Sequence, residues 1–361
     1  MGSVVEEAEA RTRTYHARIS EALGREEVGP VVEEAEVYTG KVRDVYRPKW
    51  RSDIVVLFAT GRQSAFDRQL AVVPFKGIVL NKISWWWFEM TRDLSPNHAI
   101  ACPEPSVLIA ERTTVFPVEF VVRGYMTGST ATSMWTHYKN GARTYCGIAL
   151  PEGMVKNQKL DPVVVTPTTK DRARDEPISP ADIIASGRMT QADWDFCAAT
   201  ALDIFRRGQE VAAARGLILV DTKYEFGKTT DGRILLVDEL HTPDSSRYWL
   251  AASYEQRHAA GLEPENVDKE FLRLWYRDRC DPYEDATIPE APADLVCELS
   301  RRYILLYELI TGQKFDCWEP ATTQHRASLV RQALDALPVT SSAARGARAR
   351  VHSSSTTAAR A

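Results

Sequence analysis

Two apolar segments in the second half of the chain constrain its fold more than any other feature, because they are predicted to pair as a β-hairpin. The segments LILVDTKYEF and RILLVDEL are separated by GKTTDG, and the Asp231-Gly232 pair within it is a strong signal for a hairpin turn. A two-residue turn at that pair would place Glu225 directly opposite Asp238. The Cβ atoms of directly opposed residues lie about 5 Å apart, and like charges there are destabilising unless a positive charge lies between them.

A divalent cation between Glu225 and Asp238 would relieve this repulsion. Mg²⁺ prefers carboxylate oxygens and commonly binds through one or two of them together with substrate phosphates. Because side chains alternate along a strand, Asp221 and Lys223 are predicted to lie on the same face as Glu225. Two alternatives stay open: the acids could simply be solvated, and a bulge at Gly227 would shift the pairing by one residue.

Three further segments carry groups that suit an anion. Arg123 opens RGYMTGST, in which glycines and hydroxyl groups precede a predicted helix. Gly40 lies beside Lys41 and Arg43 in YTGKVRDVY, which is typical of a glycine turn whose basic neighbours cover a phosphate chain. Arg247, in TPDSSRYW, follows the hairpin closely. Each segment alone is also compatible with an ordinary turn or an exposed strand edge.

The remaining pattern predicts an α+β protein. Strand-like segments dominate up to about residue 125, whereas helical segments and an irregular stretch over residues 151–180 follow. The order is not a regular alternation of strands and helices, which favours two sheet-bearing lobes over a doubly wound parallel sheet. The expected divisions are an N-terminal extension (1–36), a sheet-rich lobe (37–125), a larger lobe with C-terminal helices (126–318) and a disordered tail (339–361).

Composition and charge exclude several classes of protein. The 45 basic and 49 acidic residues give a net charge of −4, so no global positive field attracts the chain to nucleic acid or to an anionic membrane. Its apolar runs are much shorter than the roughly 20 residues that a membrane-spanning helix needs. The six cysteines match no zinc spacing. Gly227-Lys228-Thr229 resembles the end of a P-loop, but Thr222 occupies a position where that motif requires glycine.

Seven segments of the chain, in this order, resemble motifs of the SAICAR synthetase family. They are GKVRDVY, SAFD, FKGIVLNKIS, VVRGYMTGS, TPTTK with DEPIS, DTKYEFG and VDELHTPDSSRYW, and the resemblance extends from about Val37 to Gly312. It implies a two-lobed architecture related to protein kinases and ATP-grasp enzymes, with ATP between the lobes. It also implies a carbon–nitrogen ligase of purine biosynthesis, which joins L-aspartate to 5-aminoimidazole-4-carboxylate ribonucleotide through an acyl phosphate and releases ADP and phosphate.

The resemblance also implies roles for the residues that match these motifs. Those implied at ATP and its Mg²⁺ are Gly40, Lys41, Arg43, Lys170, Glu225 and Asp238, of which the last two would hold the metal. Those implied at the phosphate of the ribonucleotide are Arg123, Ser129 and Arg247. Those implied around its imidazole carboxylate, as the catalytic residues, are Lys223, Asp221 and Asp175. Asp67, in SAFD, is expected near the substrates.

One position departs from the family pattern. Many eukaryotic members have an acid before the arginine that precedes SAFD, whereas this chain has Gly61-Arg62. We expect this difference to alter the affinity for aspartate or the rigidity of the loop, without loss of activity.

Two other functions stay open at this point. A small-molecule kinase of related architecture would transfer phosphate to a hydroxyl group, and a regulatory homologue would bind nucleotide without turnover. In each case the expected partners are small molecules, with no nucleic acid or membrane, and the oligomeric state is undetermined. The N-terminus has early acids and no apolar core, so we expect a cytoplasmic location, with a plastid as the alternative.

Overall fold

The computed structural model describes residues 4–25, 28–30, 32–170 and 175–338, so the predicted tail over 339–361 lies outside the described residues. The strands are β1 (Ala35–Thr39), β2 (Arg43–Pro48), β3 (Ile54–Ala59), β4 (Arg62–Ala65), β5 (Arg68–Val72), β6 (Ala99–Glu104), β7 (Val107–Glu111), β8 (Thr114–Val115), β9 (Val118–Tyr125), β10 (Thr144–Tyr145), β11 (Ile148–Ala149), β12 (Lys159–Val165), β13 (Thr168–Thr169), β14 (Leu217–Lys228), β15 (Ile234–Val237) and β16 (Ser246–Leu250). The helices are α1 (Val4–Arg13), α2 (His16–Glu21), α3 (Lys76–Met90), α4 (Met134–Lys139), α5 (Pro180–Ala185), α6 (Gln191–Ala214), α7 (Ala251–Ala259), α8 (Glu270–Arg277), α9 (Ala293–Thr311) and α10 (Thr323–Ala336).

The first sheet is antiparallel and has five strands in the order β1-β2-β3-β7-β6. Its strands bury alternate side chains on opposite faces, as the period of two requires. On one face, Val56 and Phe58 pack with Leu334 of α10. On the other face, Leu108 and Ala110 join the main core, which includes α3. The first sheet is therefore covered on both sides.

The second sheet has seven strands and is built around β14, which is 12 residues long. β16 and β9 flank the first part of β14, and β15 and β8 flank its end. The 24-residue helix α6 covers this sheet, and Phe120 of β9 stacks on Trp194 with 5.0 Å between ring centroids. The side chain of Thr190 caps α6 by accepting from the backbone N–H of Asp193. The α+β prediction is confirmed.

The chain passes from one sheet to the other between β7 and β8. Although β8 and β9 lie within the predicted first lobe, they pair with β14, so the strand pairing favours a boundary near residues 111–115. The stretch over 151–180 is less irregular than predicted, because it contains β12 and β13, both paired with β9. Pro162 of β12 obscured this strand in the sequence, and an edge strand tolerates a proline. Across the described ranges, no helix is both long and apolar enough for a bilayer.

The hairpin of β14 and β15 forms as predicted, but its loop is one residue longer than expected. The backbone N–H of Thr229 donates to the carbonyl of Arg233 at 2.9 Å, so the loop consists of residues 230–232. Gly232 closes this loop with a left-handed φ of 87°. Asp-Gly sequences also close three-residue loops, in which the glycine takes the left-handed position.

The longer loop changes the register of the hairpin. Glu225 pairs with Val237 and not with Asp238, so the predicted direct opposition of the two acids was wrong by one residue. A bulge at Gly227 is not the cause, since the pairing is continuous there. Asp238 instead follows the last residue of β15.

Candidate active site

A cavity of about 880 Å³ lies between the two sheets. Apolar side chains of β2, β3 and β15 line one part of it, and Lys170, Glu225 and Asp238 line another. The link between the sheets, residues 111–115, lines a third part. The cavity therefore has an apolar region and a charged region.

Lys223 is the centre of a cluster of charges at the polar end of this cavity. Its ammonium contacts Glu225 and lies 3.1 Å from Oδ2 of Asp238 and 3.3 Å from Oε1 of Glu119. Lys170 contacts the second carboxylate oxygen of Glu225. Burial works against the charge of Lys223, but the three carboxylates outweigh it and raise the pKa of Lys223 well above its usual value. Lys223 therefore stays protonated.

Arg43 completes this cluster from the first sheet. Its guanidinium lies 2.6 Å from Oδ1 of Asp238 and 3.0 Å from Oε2 of Glu239. Burial opposes ionisation of Asp238, but Lys223 and Arg43 hold the pKa of that carboxyl far below its usual range. Asp238 is thus a carboxylate that joins the two lobes.

Glu225 and Asp238 are brought together, although they do not pair directly. Both contact the ammonium of Lys223, which supplies the positive charge that neighbouring acids require. Among the residues that the structure describes, no group of three or more His, Cys, Asp or Glu side chains could hold a metal by itself. Two carboxylates without further protein ligands suit Mg²⁺ that is bound largely through substrate phosphates. The donor set fits that ion together with a polyphosphate.

The glycine turn joins β1 to β2, as predicted. The N–H of Gly40 donates to the carbonyl of Arg43 at 2.8 Å, and a Cβ at Gly40 would lie only 2.8 Å from that oxygen. Arg62 supports the turn by donating to the carbonyl of Gly40 at 3.0 Å. At the tip, Lys41 lies 2.7 Å from Asp67 of the β4-β5 hairpin, and both side chains are largely exposed. The structure thus brings Lys41 and Asp67 together.

A second pocket, of about 310 Å³, shares Lys223 with the charged cluster. The register of three neighbouring strands places Asp221 of β14 between Arg123 of β9 and Arg247 of β16. The Nη1 atoms of the two arginines lie 3.0 and 2.8 Å from Oδ2 of Asp221. Two largely buried guanidinium groups thus share one carboxylate, an arrangement that still favours an anionic ligand.

Asp175 lies at the rim of this second pocket. Partial burial, and then the charge of Glu119, raise the pKa of Asp175 to about 6, while Lys223 opposes the shift. Asp175 therefore lines the same pocket as the predicted catalytic residues Asp221 and Lys223, although it lies in a different segment of the chain.

Helix α8 adds two basic residues that the sequence analysis missed. Lys269 precedes this helix and Arg273 lies one turn further, and both line the second pocket. Arg247 and Arg273 pair with the same carboxylate, that of Glu270, and the predicted phosphate ligand Ser129 lies beside it. Burial lowers the pKa of Lys269 to about 8. The sequence offered one signal for these residues: Lys269 and Arg273 are four residues apart in DKEFLR, a spacing that places both on one helix face.

The link between the sheets was missed as well. Residues 111–115 line the larger cavity, and the N–H of Arg112 donates to the carbonyl of Asp53 at 2.8 Å. A short charged segment of this kind carries no local pattern that distinguishes it from an ordinary loop.

Gly61, where an acid was expected, lines neither of these cavities. A Cβ at this position would lie 3.0 Å from the carbonyl oxygen of Val73 and 3.1 Å from Cγ1 of Val72. The expected change in aspartate affinity or in the rigidity of the loop stays a prediction.

Two sheet-bearing lobes, a cleft with apolar walls and a cluster of acids and ammonium groups define a two-lobed enzyme of ATP-grasp-like architecture. The profile of the SAICAR synthetase family matches residues 36–289. The chain belongs to this family, and the prediction from its motifs is confirmed.

Sequence and structure comparisons agree on this assignment. The chain is 59% identical over 278 residues to a phosphoribosylaminoimidazole-succinocarboxamide synthase of Legionella pneumophila (strain Lens), covering 77% of this chain and 88% of that protein. It is 59% identical over 277 residues to the chloroplastic synthase of Arabidopsis thaliana, covering 77% of this chain and 67% of that one. Among solved structures, the SAICAR synthase of Saccharomyces cerevisiae complexed with SAICAR matches with a TM-score of 0.68 at 30% identity, covering 81% and 100% of the two chains.

Proposed function

We propose that this chain joins L-aspartate to 5-aminoimidazole-4-carboxylate ribonucleotide through an acyl phosphate formed where the two clefts meet. As a member of its family, the chain is an ATP-dependent carbon–nitrogen ligase of purine biosynthesis. The observation that carries the proposed mechanism is the position of Lys223, which lines the second pocket and contacts the carboxylates of the larger cavity.

The larger cavity suits ATP. Its apolar walls suit the base, and the link between the sheets offers peptide groups beside them. Lys170 and Arg43 would lie at the phosphates, and Lys41 on the glycine turn would cover them. Glu225 and Asp238 would hold Mg²⁺, which neutralises charge on the phosphates when it is bound.

The second pocket suits the ribonucleotide. Arg123, Arg247 and Ser129 would bind its phosphate, because buried guanidinium groups form strong charge-assisted hydrogen bonds with phosphate oxygens. Asp221 fixes the orientation of both arginines. Lys223 would then face the carboxylate of the imidazole.

The chemistry needs two displacements. The carboxylate of the ribonucleotide attacks the γ-phosphorus of ATP, the bond to ADP breaks, and an acyl phosphate forms. The amine of aspartate then attacks the acyl carbon, phosphate leaves, and the amine loses a proton that Asp175, with a pKa of about 6, can accept. Lys223 offsets the negative charge where the two anions meet, so positioning and electrostatics dominate catalysis.

The release of ADP by the purified protein tests this function. We expect release only when Mg²⁺, ATP, aspartate and the ribonucleotide are all present, and omission of each component in turn is the control. Release without aspartate would indicate a kinase or an uncoupled ATPase. Nucleotide binding without any release would indicate the regulatory homologue.

The location that we propose is the cytoplasm, with a plastid as the alternative. The relative from Arabidopsis thaliana is described as chloroplastic, which supports keeping the alternative. Cell fractionation with antibodies against the chain distinguishes the two.

A further inference from the structure

A third cavity, of about 200 Å³, lies outside both clefts. Three segments that are distant in the sequence form its walls: the end of the N-terminal extension, the base of the β4-β5 hairpin and the start of α10. The residues that contribute most to the argument are Arg25, Gly61, Val73, Thr322, Thr323 and Arg326. None of the residues assigned above to ATP, to its Mg²⁺ or to the ribonucleotide lines this cavity.

Arg326 supplies a buried cation to the cavity. The side chain of Arg326 is only 4% exposed. One terminal nitrogen donates to the carbonyl of Val28, and the other lies 3.4 Å from Oε1 of Glu104. The Nε atom is buried and donates to no described residue. A buried donor of a charged group is costly to leave without an acceptor, so this nitrogen points to a missing partner.

Glu104 does not neutralise Arg326 fully. The 3.4 Å contact between them is long for a charge-assisted hydrogen bond. Glu104 also accepts from the N–H of Ser106 at 2.8 Å and from its hydroxyl, so part of its charge is already used. Positive charge therefore remains on the cavity side.

The start of α10 adds to this charge. α10 has 14 residues, and its first turn begins at the N-cap Thr322. The first N–H groups of a helix have no intrahelical partner and carry a partial positive charge. Thr322 and Thr323 line the cavity, and so does the exposed side chain of Arg25. Among the described residues that line the cavity there is no Asp or Glu.

We propose that this cavity binds an oxyanion of phosphate size, either inorganic phosphate or the phosphate group of a small phosphorylated ligand. The two arginines and the N-terminus of α10 hold its charge. The apolar walls, formed by Val73 and its neighbours, limit access of water and strengthen these contacts. The bound anion joins the N-terminal extension to α10 and to the base of the hairpin that carries Asp67 at its tip.

Equilibrium dialysis with radiolabelled inorganic phosphate tests the site. Saturating ribonucleotide and a non-hydrolysable ATP analogue, without aspartate, occupy the two clefts and the position of the transferred phosphate, so that only sites elsewhere remain. We expect one phosphate per chain under these conditions. In Arg25→Gln, which removes an exposed side chain, the affinity is expected to fall about tenfold, as loss of one charge-assisted contact implies. Arg326→Lys retains a cation for Glu104 but lacks Nε, and we expect a similar loss.

Arg13→Gln is the matched control. Arg13 is an exposed arginine of the same N-terminal extension, paired with Glu9 and outside the cavity. The affinity of the Arg13→Gln variant for phosphate should equal that of the unchanged protein. No phosphate binding once the clefts are saturated would overturn the proposal, as would equal binding in Arg25→Gln, Arg326→Lys and the control. A separate competition dialysis compares inorganic phosphate with glucose 6-phosphate. Tighter binding of inorganic phosphate would identify the free anion as the ligand, and tighter binding of glucose 6-phosphate would identify a phosphorylated ligand.

Discussion

At the scale of single residues, Lys223 explains how two clefts act on one reaction. Its ammonium contacts three carboxylates, and its pKa is raised far enough that its charge is constant at working pH. Motifs in the sequence named Lys223 and two of its acidic partners, Glu225 and Asp238, but not Glu119. No motif included Lys269 or Arg273, and their spacing of four marks one helix face without showing that this face lines the pocket.

Removal of either proposed Mg²⁺ ligand should abolish most turnover. Glu225→Gln and Asp238→Asn preserve volume but remove a negative charge, so we expect kcat at ordinary Mg²⁺ to fall about 100-fold or more, with partial recovery at high Mg²⁺. Steady-state kinetics against Mg²⁺ concentration measure this. Glu298→Gln is the matched control, since Glu298 also pairs with two cations, Arg301 and Arg302, but lies outside both clefts. Normal turnover in both active-site variants would exclude the metal assignment.

The titration of Lys269 should appear in the pH dependence of activity. Burial lowers its pKa to about 8, so Lys269 is a cation below pH 8 and neutral above it. Because the pocket receives anions, we expect kcat/KM for the ribonucleotide to be constant between the pKa of Asp175, about 6, and pH 8, and to decline above pH 8. Lys269→Arg keeps the charge and should extend the plateau to higher pH. A decline at the same pH in both proteins would assign the titration to another group.

At the scale of secondary structure elements, the hairpin shows how much of a structure its local sequence can predict. Its two strands follow from apolar runs, and its turn follows from Asp-Gly. The register of the hairpin does not follow from the local sequence, because Asp-Gly occurs in both two-residue and three-residue loops. Thr229 decides between them, since its hydroxyl also accepts from the N–H of Arg233 and so stabilises the longer loop. A shift of one residue was enough to remove the direct pairing of Glu225 with Asp238, although both still contact Lys223.

The longer loop makes Gly232 important for stability. Its φ of 87° is unfavourable for any residue with a Cβ, although a Cβ there would meet no atom within 4 Å. We therefore expect Gly232→Ala to lower the free energy of unfolding by about 1 kcal/mol through backbone strain alone. Urea denaturation measures this change. Thr230→Ala, in the same exposed loop, should change it much less, and equal stability of Gly232→Ala and the unchanged protein would argue against the left-handed conformation of Gly232.

At the scale of the whole molecule, the sequence predicted two lobes but not how they meet. Arg43 and Asp238 are 195 residues apart, yet their side chains join the lobes at 2.6 Å. α10 follows the part of the chain that the family motifs cover, and it packs on the first sheet through Val330 and Leu334. Such contacts depend on tertiary packing, which no local periodicity records.

The central claim is that the ribonucleotide carboxylate in the second pocket attacks ATP held in the larger cavity. Transfer of oxygen tests this claim most directly. With ¹⁸O in both oxygens of the ribonucleotide carboxylate, an acyl phosphate passes one labelled oxygen to each phosphate released, which mass spectrometry of the phosphate detects. We predict one ¹⁸O per phosphate in a reaction that also forms the succinocarboxamide product. Product formation with unlabelled phosphate would contradict the account.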